Sequence, residues 1–161
     1  MPMIHEGEKL VQCAVQLIRG SQILRVPILA TVQYTKGLGV MVPAITAALG
    51  EVVPIEKKAF SSCGAPGFLA ALSARKITDV VLCGIETHVC VCQTGLDLLS
   101  RGFRVFVVAD AVSSRTAQNR AVGLDRLRAA GAVIVSVEML LFEWLAESGS
   151  VEFKEILALV K

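Results

Sequence analysis

Helical and extended hydrophobic patterns alternate along all 161 residues, and this alternation restricts the fold more than any other feature of the chain. Apolar residues recur at helical spacing over residues 7–24, and a short apolar run at 27–32 follows them. Strands that alternate with helices usually pair in parallel, because each helix carries the chain back to the edge where the previous strand began. The sequence therefore predicts one α/β domain of three layers, with a mostly parallel sheet between two layers of helices.

The same periodicity, together with turn and capping residues, predicts the other elements. Predicted strands cover residues 52–55, 79–83, 104–109 and 132–135, and predicted helices cover 43–49, 66–75, 87–101, 138–146 and 151–160. A further helix is predicted to run to Ala130 from a cap at Ser113 or Ser114. The chain opens on a helix, whereas a parallel α/β domain usually opens on a strand. We therefore expect either a domain that does not need its first strand or a chain that begins inside the domain.

The composition argues against several classes of function. The net charge is +2 and the basic residues are scattered, so no stripe or cluster predicts binding to nucleic acid or to a membrane surface. The hydrophobic fraction of 54% and the mean hydropathy of +0.65 are high for a soluble monomer. No apolar run reaches the roughly 18 residues that a transmembrane helix needs. We therefore expect a homo-oligomer, either a dimer or a tetramer.

The cysteines and the N-terminus bear on the cellular compartment. Residues 1–6 have neither a basic start nor an apolar core, so they do not predict a secretory signal, and we expect a cytoplasmic protein. The five cysteines are then expected to be reduced thiols, and their odd number and irregular spacing argue against a disulfide framework and a structural zinc site. Cys13, Cys83 and Cys92 are expected to act as small apolar side chains.

Cys90 carries the strongest chemical signal in the chain. It follows the predicted strand at 79–83 and stands at the start of the next helix. Unpaired backbone N–H groups and the positive end of the helix dipole favour a thiolate at such a position. This placement predicts a nucleophilic cysteine, although the pattern alone is equally compatible with a structural one.

Other side chains are expected to share the edge of the sheet with Cys90, because parallel sheets bind ligands at the carboxyl ends of their strands. The residues that follow predicted strands at this edge are Tyr34, Lys57, Phe60 and Asp110. An ammonium group such as that of Lys57 would stabilise the Cys90 thiolate. The pattern alone does not distinguish Lys57 from the adjacent Lys58.

Attack of a thiolate on a carbonyl creates an oxyanion, and the backbone N–H groups of Glu86 and Cys90 are candidates to stabilise it at the helix start. A general base is also needed to move protons. Asp110 is on the correct edge but one strand away, and the spacing of His88 from Cys90 directs its side chain away on a helix. Neither residue is a compelling base, and the sequence leaves the choice open.

Four segments resemble the isochorismatase-like cysteine hydrolases, and especially the subgroup named isochorismatase domain-containing proteins. They are VVLCGIETHV at 80–89 with Cys90 directly after it, VVADA at 107–111, QYTKGLG at 33–39 and EKKAFS at 56–61. The resemblance covers the chain from His5 onward. It implies the three-layer fold of that family with a Rossmann-type strand order, and a cis peptide bond between Ile85 and Glu86.

The resemblance also implies roles for individual residues. Members of the family use an Asp, Lys and Cys triad, in which the lysine falls on Lys57 and the nucleophile on Cys90. Tyr34, Phe60 and His88 would then bind the substrate, and the backbone of Glu86 would contribute to the oxyanion hole.

Three departures from the family pattern bear on activity. The family aspartate ends the first strand, and no such motif precedes His5, so the triad is incomplete in this sequence. We expect a misplaced start or a shortened chain rather than true loss of the strand. Val32 stands where the subgroup commonly has Glu, and Thr35 stands where it commonly has Pro, so the polarity of the substrate pocket is expected to differ.

The sequence therefore predicts a hydrolase that attacks a small amide, imide or related carbonyl compound through Cys90. It predicts no cofactor, and no metal because His5 and His88 stand far apart without supporting ligands. Two alternatives remain open at this point. One is a non-catalytic oligomeric binding protein on the same scaffold, and the other is a peroxide sensor that uses Cys90 as its reactive thiol.

Overall fold

The computed structural model describes residues 4–161. The prediction that the N-terminus carries no signal falls partly on residues 1–3, which lie outside the described residues. The helices and strands, in chain order, are α1 (Gly7–Ile23), β1 (Thr31–Gln33), α2 (Thr35–Leu38), α3 (Pro43–Leu49), β2 (Ile55–Lys57), α4 (Phe68–Ala74), β3 (Asp79–Ile85), α5 (Cys92–Ser100), β4 (Arg104–Ser113), α6 (Ala117–Ala129), β5 (Val133–Val135), α7 (Val137–Leu145) and α8 (Val151–Val160). Within residues 4–161, none of these helices is both long enough and apolar enough to cross a membrane.

The strands pair in parallel throughout, and they form two sheets. β1 pairs with β2, while β3, β4 and β5 form a three-stranded sheet with β4 in the middle. β1 and β3 are each paired on one edge only, and no other strand among residues 4–161 pairs with their second edges. The predicted α/β class and the parallel pairing are confirmed, and the described strands divide into two sheets where one was expected.

Two hydrophobic clusters cover opposite faces of β4, because successive side chains of a strand point to opposite faces. Val107 packs in the cluster formed with α4, α5 and α6, and Val108 packs in the cluster formed with α1, α7 and α8. The helix side chains with 0% exposure in these clusters are Leu98, Leu127, Leu141 and Ile156. Full burial of one such side chain contributes roughly 1.5–3 kcal/mol. The three predicted layers are therefore confirmed.

Several predicted boundaries are wrong by a few residues. β1 covers Thr31–Gln33 rather than 27–32, and β2 covers Ile55–Lys57 rather than 52–55. The ladder consists of the residues that pair in the parallel register, from Thr31 opposite Ile55 to Gln33 opposite Lys57, and most of each apolar run lies ahead of it. α4 begins at Phe68 rather than at residue 66, because Gly67 precedes it with a φ of 78°, outside the helical region.

The predicted cap of α6 at Ser113 or Ser114 is also wrong. β4 continues through Ser113, and the hydroxyl of Thr116 caps the helix by accepting a hydrogen bond from the Asn119 N–H at 3.1 Å. Nε of Arg120 in α6 donates a hydrogen bond to the carbonyl of Val112 at 3.0 Å, so the helix also stabilises the last residues of β4.

Candidate active site

The carboxyl ends of β1, β2 and β3 carry the candidate site. β1 ends at Gln33 and β2 ends at Lys57, and these two residues are direct partners in the parallel ladder. β3 ends at Ile85, and a single π-helical turn, Thr87–Val91, connects it to α5 and contains Cys90. Parallel pairing therefore brings Gln33 and Lys57 to one edge of the β1–β2 sheet.

Lys57 is buried, with only 4% of its surface exposed. Its ammonium donates to Oε1 of Gln33 at 2.5 Å, to the Phe60 carbonyl at 2.8 Å and to the Ala59 carbonyl at 3.1 Å. These three acceptors use all three N–H donors of the ammonium. The adjacent Lys58 is exposed, so the geometry distinguishes the two lysines that the residue pattern alone did not.

Gln33 connects the lysine to the cysteine. Its Oε1 lies 4.0 Å from Sγ of Cys90, in addition to its contact with Lys57, and its Nε2 donates to the carbonyl of Lys58 at 2.7 Å. Sequence reasoning missed Gln33 as a site residue. The available signal was its place beside Tyr34 after an apolar run, which is the strand end where ligand-binding side chains collect.

The turn that carries Cys90 is fixed from two sides. The peptide bond between Ile85 and Glu86 is cis, which confirms the expectation from the family resemblance. The Glu86 carboxylate accepts hydrogen bonds from the backbone N–H and Nε of Arg115 at 2.9 and 3.1 Å. Gly123 of α6 packs against the turn so closely that an added Cβ would stand 3.0 Å from the His88 backbone. The backbone N–H of Glu86 forms no backbone hydrogen bond within the described part of the chain.

Two aromatic residues contact Lys57 through their backbone groups. The Tyr34 N–H donates to the carbonyl of Lys57 at 3.0 Å, and the Phe60 carbonyl accepts from its ammonium. Both residues are about half exposed, at 45% for Tyr34 and 53% for Phe60. They are therefore open to a small molecule at this edge.

Neither candidate base forms a hydrogen bond with Cys90. Nδ1 of His88 lies 3.0 Å from Oγ of Ser114, which is fully buried. Oδ1 of Asp110 accepts a hydrogen bond from the Val137 N–H at 2.9 Å, so this carboxylate caps the start of α7. Asp110 thus has a structural partner on the neighbouring helix, which sequence position did not reveal.

Two buried polar groups of the site lack the partners that such groups usually have. Lys57 pairs with an amide and two carbonyl oxygens, and no carboxylate among residues 4–161 forms an ion pair with it. Oγ1 of Thr87, in the Cys90 turn, is fully buried and has no hydrogen-bond partner among the same residues. Buried cations are normally paired with a negative charge and buried hydroxyls normally form a hydrogen bond, so Lys57 lacks a counter-charge although its three donors are used, and Thr87 lacks a hydrogen-bond partner.

The five cysteines are all free thiols. Cys92 is buried, as expected, and burial raises the pKa of the Cys13, Cys63 and Cys92 thiols. Cys83 is exposed, contrary to the expectation for it, because it lies on β3, an edge strand, yet desolvation by the surrounding protein raises the pKa of its thiol to about 11. Within residues 4–161, no group of three or more His, Cys, Asp or Glu side chains is arranged to hold a metal ion.

The fold and the site together define an α/β protein that places a cysteine turn and a buried lysine at the carboxyl ends of its strands. Residues 2–139 match the isochorismatase domain, and the chain belongs to the isochorismatase family. It is 38% identical over 161 residues to isochorismatase domain-containing protein 2A of Mus musculus, covering 99% of this chain and 76% of the mouse protein. It is 41% identical over 155 residues to the secreted isochorismatase effector Isc1 of Phytophthora sojae, covering 90% of this chain and 71% of that protein.

Solved structures show the same relationship. The structure of MAR1 ribonuclease from Caenorhabditis elegans superposes with a TM-score of 0.91 at 38% identity, covering 98% of this chain and 81% of that one. The family resemblance found in the sequence is therefore confirmed.

Proposed function

We propose that this protein is a cysteine-dependent hydrolase of a small amide, imide or related carbonyl compound. The observation that carries the proposal is the shared contact of Gln33 Oε1 with Nζ of Lys57 and Sγ of Cys90. It joins a buried cation and a thiol that are far apart in sequence, in a protein whose family contains hydrolases. A cation near a thiol favours the thiolate, which is the nucleophilic form.

In the proposed reaction, Sγ of Cys90 attacks the carbonyl carbon and forms a C–S bond, while the carbonyl π electrons move to oxygen. The N–H groups of Glu86 and Cys90 stabilise the oxyanion. The oxyanion then collapses, the C–N bond breaks and the nitrogen leaves with a proton. Water attacks the resulting thioester and releases the carboxylic acid together with the Cys90 thiol.

Proton transfer in both steps requires a base, and neither His88 nor Asp110 is hydrogen-bonded to Cys90. We infer that a carboxylate supplied from ahead of residue 5 takes this role in the active enzyme, as the family resemblance implies. The burial of Lys57 without a carboxylate partner among residues 4–161 supports this inference. Tyr34, Phe60 and His88 are proposed to contact the substrate beside this group.

Site-resolved alkylation tests the proposed nucleophile without knowledge of the substrate. At neutral pH we expect iodoacetamide to modify Cys90 at least about tenfold faster than Cys83, because the thiolate is the reacting species. The other four cysteines are expected to react more slowly, because desolvation raises the pKa of each thiol above its ordinary value of 9.0, and that of Cys83 to about 11. Their thiolates should therefore accumulate only at higher pH.

The rates are measured by mass spectrometry with fragment ions that assign each modified cysteine. Cys83 is the control for access, because it is exposed and lies close to the Cys90 turn. A short cysteine-containing peptide is the control for reactivity, because desolvation raises the pKa of the Cys83 thiol to about 11. A faster reaction at Cys90 than at Cys83 cannot then be attributed to access. A Cys90 that reacts no faster than the cysteine of the peptide would contradict the proposed nucleophile.

We also propose that the protein is a homo-oligomer. Several large apolar side chains are mostly exposed, among them Leu38 at 67%, Val40 at 85% and Val53 at 83%. The YcaC product of Escherichia coli, which shares the fold at 22% identity, is described as an octameric hydrolase. Light scattering on the purified protein is expected to give a multiple of 17.1 kDa, and a monomeric mass at micromolar concentration would contradict the proposal.

A further inference from the structure

The orientation of the Gln33 amide is determined by its three contacts. Nζ of Lys57 can only donate, so it requires the amide oxygen, and the Lys58 carbonyl can only accept, so it requires the amide nitrogen. A flipped amide would place its NH₂ group against the ammonium and its oxygen against the carbonyl. Oε1 is therefore the atom that faces Sγ of Cys90, at 4.0 Å.

This orientation has opposite effects on the two forms of Cys90. A neutral thiol can donate to Oε1, whereas a thiolate has no proton to donate and is repelled by the partial negative charge of the oxygen. The same oxygen also engages the third donor of the Lys57 ammonium, so no N–H of this group is left for sulfur. Gln33 thus withholds part of the Lys57 charge from Cys90.

We propose that Gln33 is a positioning residue that restrains the Lys57 ammonium on its amide oxygen and so limits how strongly this charge stabilises the Cys90 thiolate. The inference rests on the proposed function, because it assigns a role to Gln33 only through a reactive Cys90. It predicts that loss of the oxygen makes Cys90 more reactive, and that a full negative charge at the same place makes it less reactive.

Several other charged and titratable groups on elements packed against the Cys90 turn have partners elsewhere. Glu86 pairs with Arg115, His88 contacts Ser114, and Asp110 caps α7. Asp125 pairs with Arg128, and Asp79 pairs with Arg104 at the far ends of β3 and β4. The remaining groups on these elements are Cys83, Cys92, Asp97, Arg101, Arg120 and Arg126. None of these groups hydrogen-bonds Gln33 or Lys57, so a change at Gln33 alters the Lys57–Cys90 pair directly.

The test is the pH dependence of Cys90 alkylation by iodoacetamide in Gln33→Met and Gln33→Glu. Methionine keeps the length of the side chain and removes the oxygen, so the midpoint of the rate profile should fall by about one pH unit, which is about tenfold in rate below the midpoint. Glutamate places a carboxylate near sulfur, so the midpoint should rise by a similar amount. Gln118→Met and Gln118→Glu make the same chemical changes at an exposed position of α6 and should leave the profile unchanged.

The same Gln33 variant made together with Lys57→Met shows whether the shift in the midpoint depends on the lysine. In Lys57→Met, the Gln33→Met change should lower the midpoint by much less than in the wild-type background, because no ammonium remains to be released and only the repulsion between Oε1 and the thiolate is relieved. Thermal unfolding confirms that each variant is folded, and Gln33→Leu, which removes the same oxygen, replaces Gln33→Met if that variant does not fold. A purely structural role for Gln33 would not give shifts of opposite sign in the methionine and glutamate variants.

The outcomes separate this inference from the proposed function. The midpoints of Gln33→Met and Gln33→Glu could move in the same direction or not at all while wild-type Cys90 still reacts faster than the cysteine of the peptide. That result would overturn the role of Gln33 and leave Cys90 as the proposed nucleophile. A wild-type Cys90 that reacts no faster than the cysteine of the peptide would overturn both.

Discussion

Replacement of Cys90 by alanine is expected to reduce hydrolysis to the uncatalysed background, a loss of about 10³-fold or more. The reason is that the proposed intermediate is a thioester, and without Sγ no covalent bond to the substrate can form. The remaining oxyanion donors would bind the carbonyl but would have no nucleophile to act with. The measurement is release of ammonia or amine from a panel of small amides and imides, with the wild-type chain defining which compound is turned over.

Cys83→Ala is the matched control for this experiment. It removes one thiol from the end of β3, close to the Cys90 turn, and should leave turnover within about twofold of wild type, since surface changes are usually small in effect. The alanine side chain is smaller than the partly buried cysteine, so Cys90→Ala should remain folded, as thermal unfolding will show. Wild-type rates in Cys90→Ala would end the proposal of a cysteine nucleophile.

An added segment ahead of His5 is expected to raise both stability and turnover if it forms a strand that ends in aspartate. β1 and β3 each have a second edge that pairs with no strand among residues 4–161, so an added strand of about six residues would gain a ladder there. The carbonyl of His5 already accepts from Oγ of Ser113 at 2.6 Å, at the carboxyl end of β4. A strand leading into residue 5 would therefore end at the same edge as Cys90 and Lys57.

The effect of the carboxylate can be distinguished from the effect of strand pairing with two versions of the added segment that differ in one residue. Both the version with aspartate and the version with asparagine should raise the unfolding temperature, because both fill the edge of β3. Only the aspartate version should raise turnover, by about 10²–10⁴-fold, since the amide cannot accept a proton. Equal turnover in the two versions would contradict the role of a carboxylate, and unchanged unfolding temperatures in both would contradict pairing with the sheet.

Much of the fold could be predicted from the sequence because it depends on local periodicity. The apolar positions of α1 recur at helical spacing, and α1, α3 and α8 were predicted within one residue of their observed ends. Cys90 was also visible, since an apolar strand followed by a helix start is a local pattern. The family resemblance then supplied the expected partners of Cys90, which spacing alone did not.

The short strands and the helix cap of α6 were less predictable. β1 and β2 have three residues each, too few for an alternating pattern, and their ends are set by their mutual register. Ser113, Ser114 and Thr116 are all acceptable caps in sequence. Thr116 takes the role because β4 extends through Ser113 in the folded protein.

The amino-acid sequence by itself determined the layers of this protein, the parallel direction of its strands and the candidate nucleophile, because each follows from residues that are neighbours along the chain. Only the tertiary structure decided that Lys57 rather than Lys58 is buried, that Asp110 caps a helix and that Gln33 joins Lys57 to Cys90. Gln33 is 24 residues from Lys57 and 57 residues from Cys90. Contacts over such separations depend on the register of strands and the packing of turns, which hydrophobic periodicity does not encode.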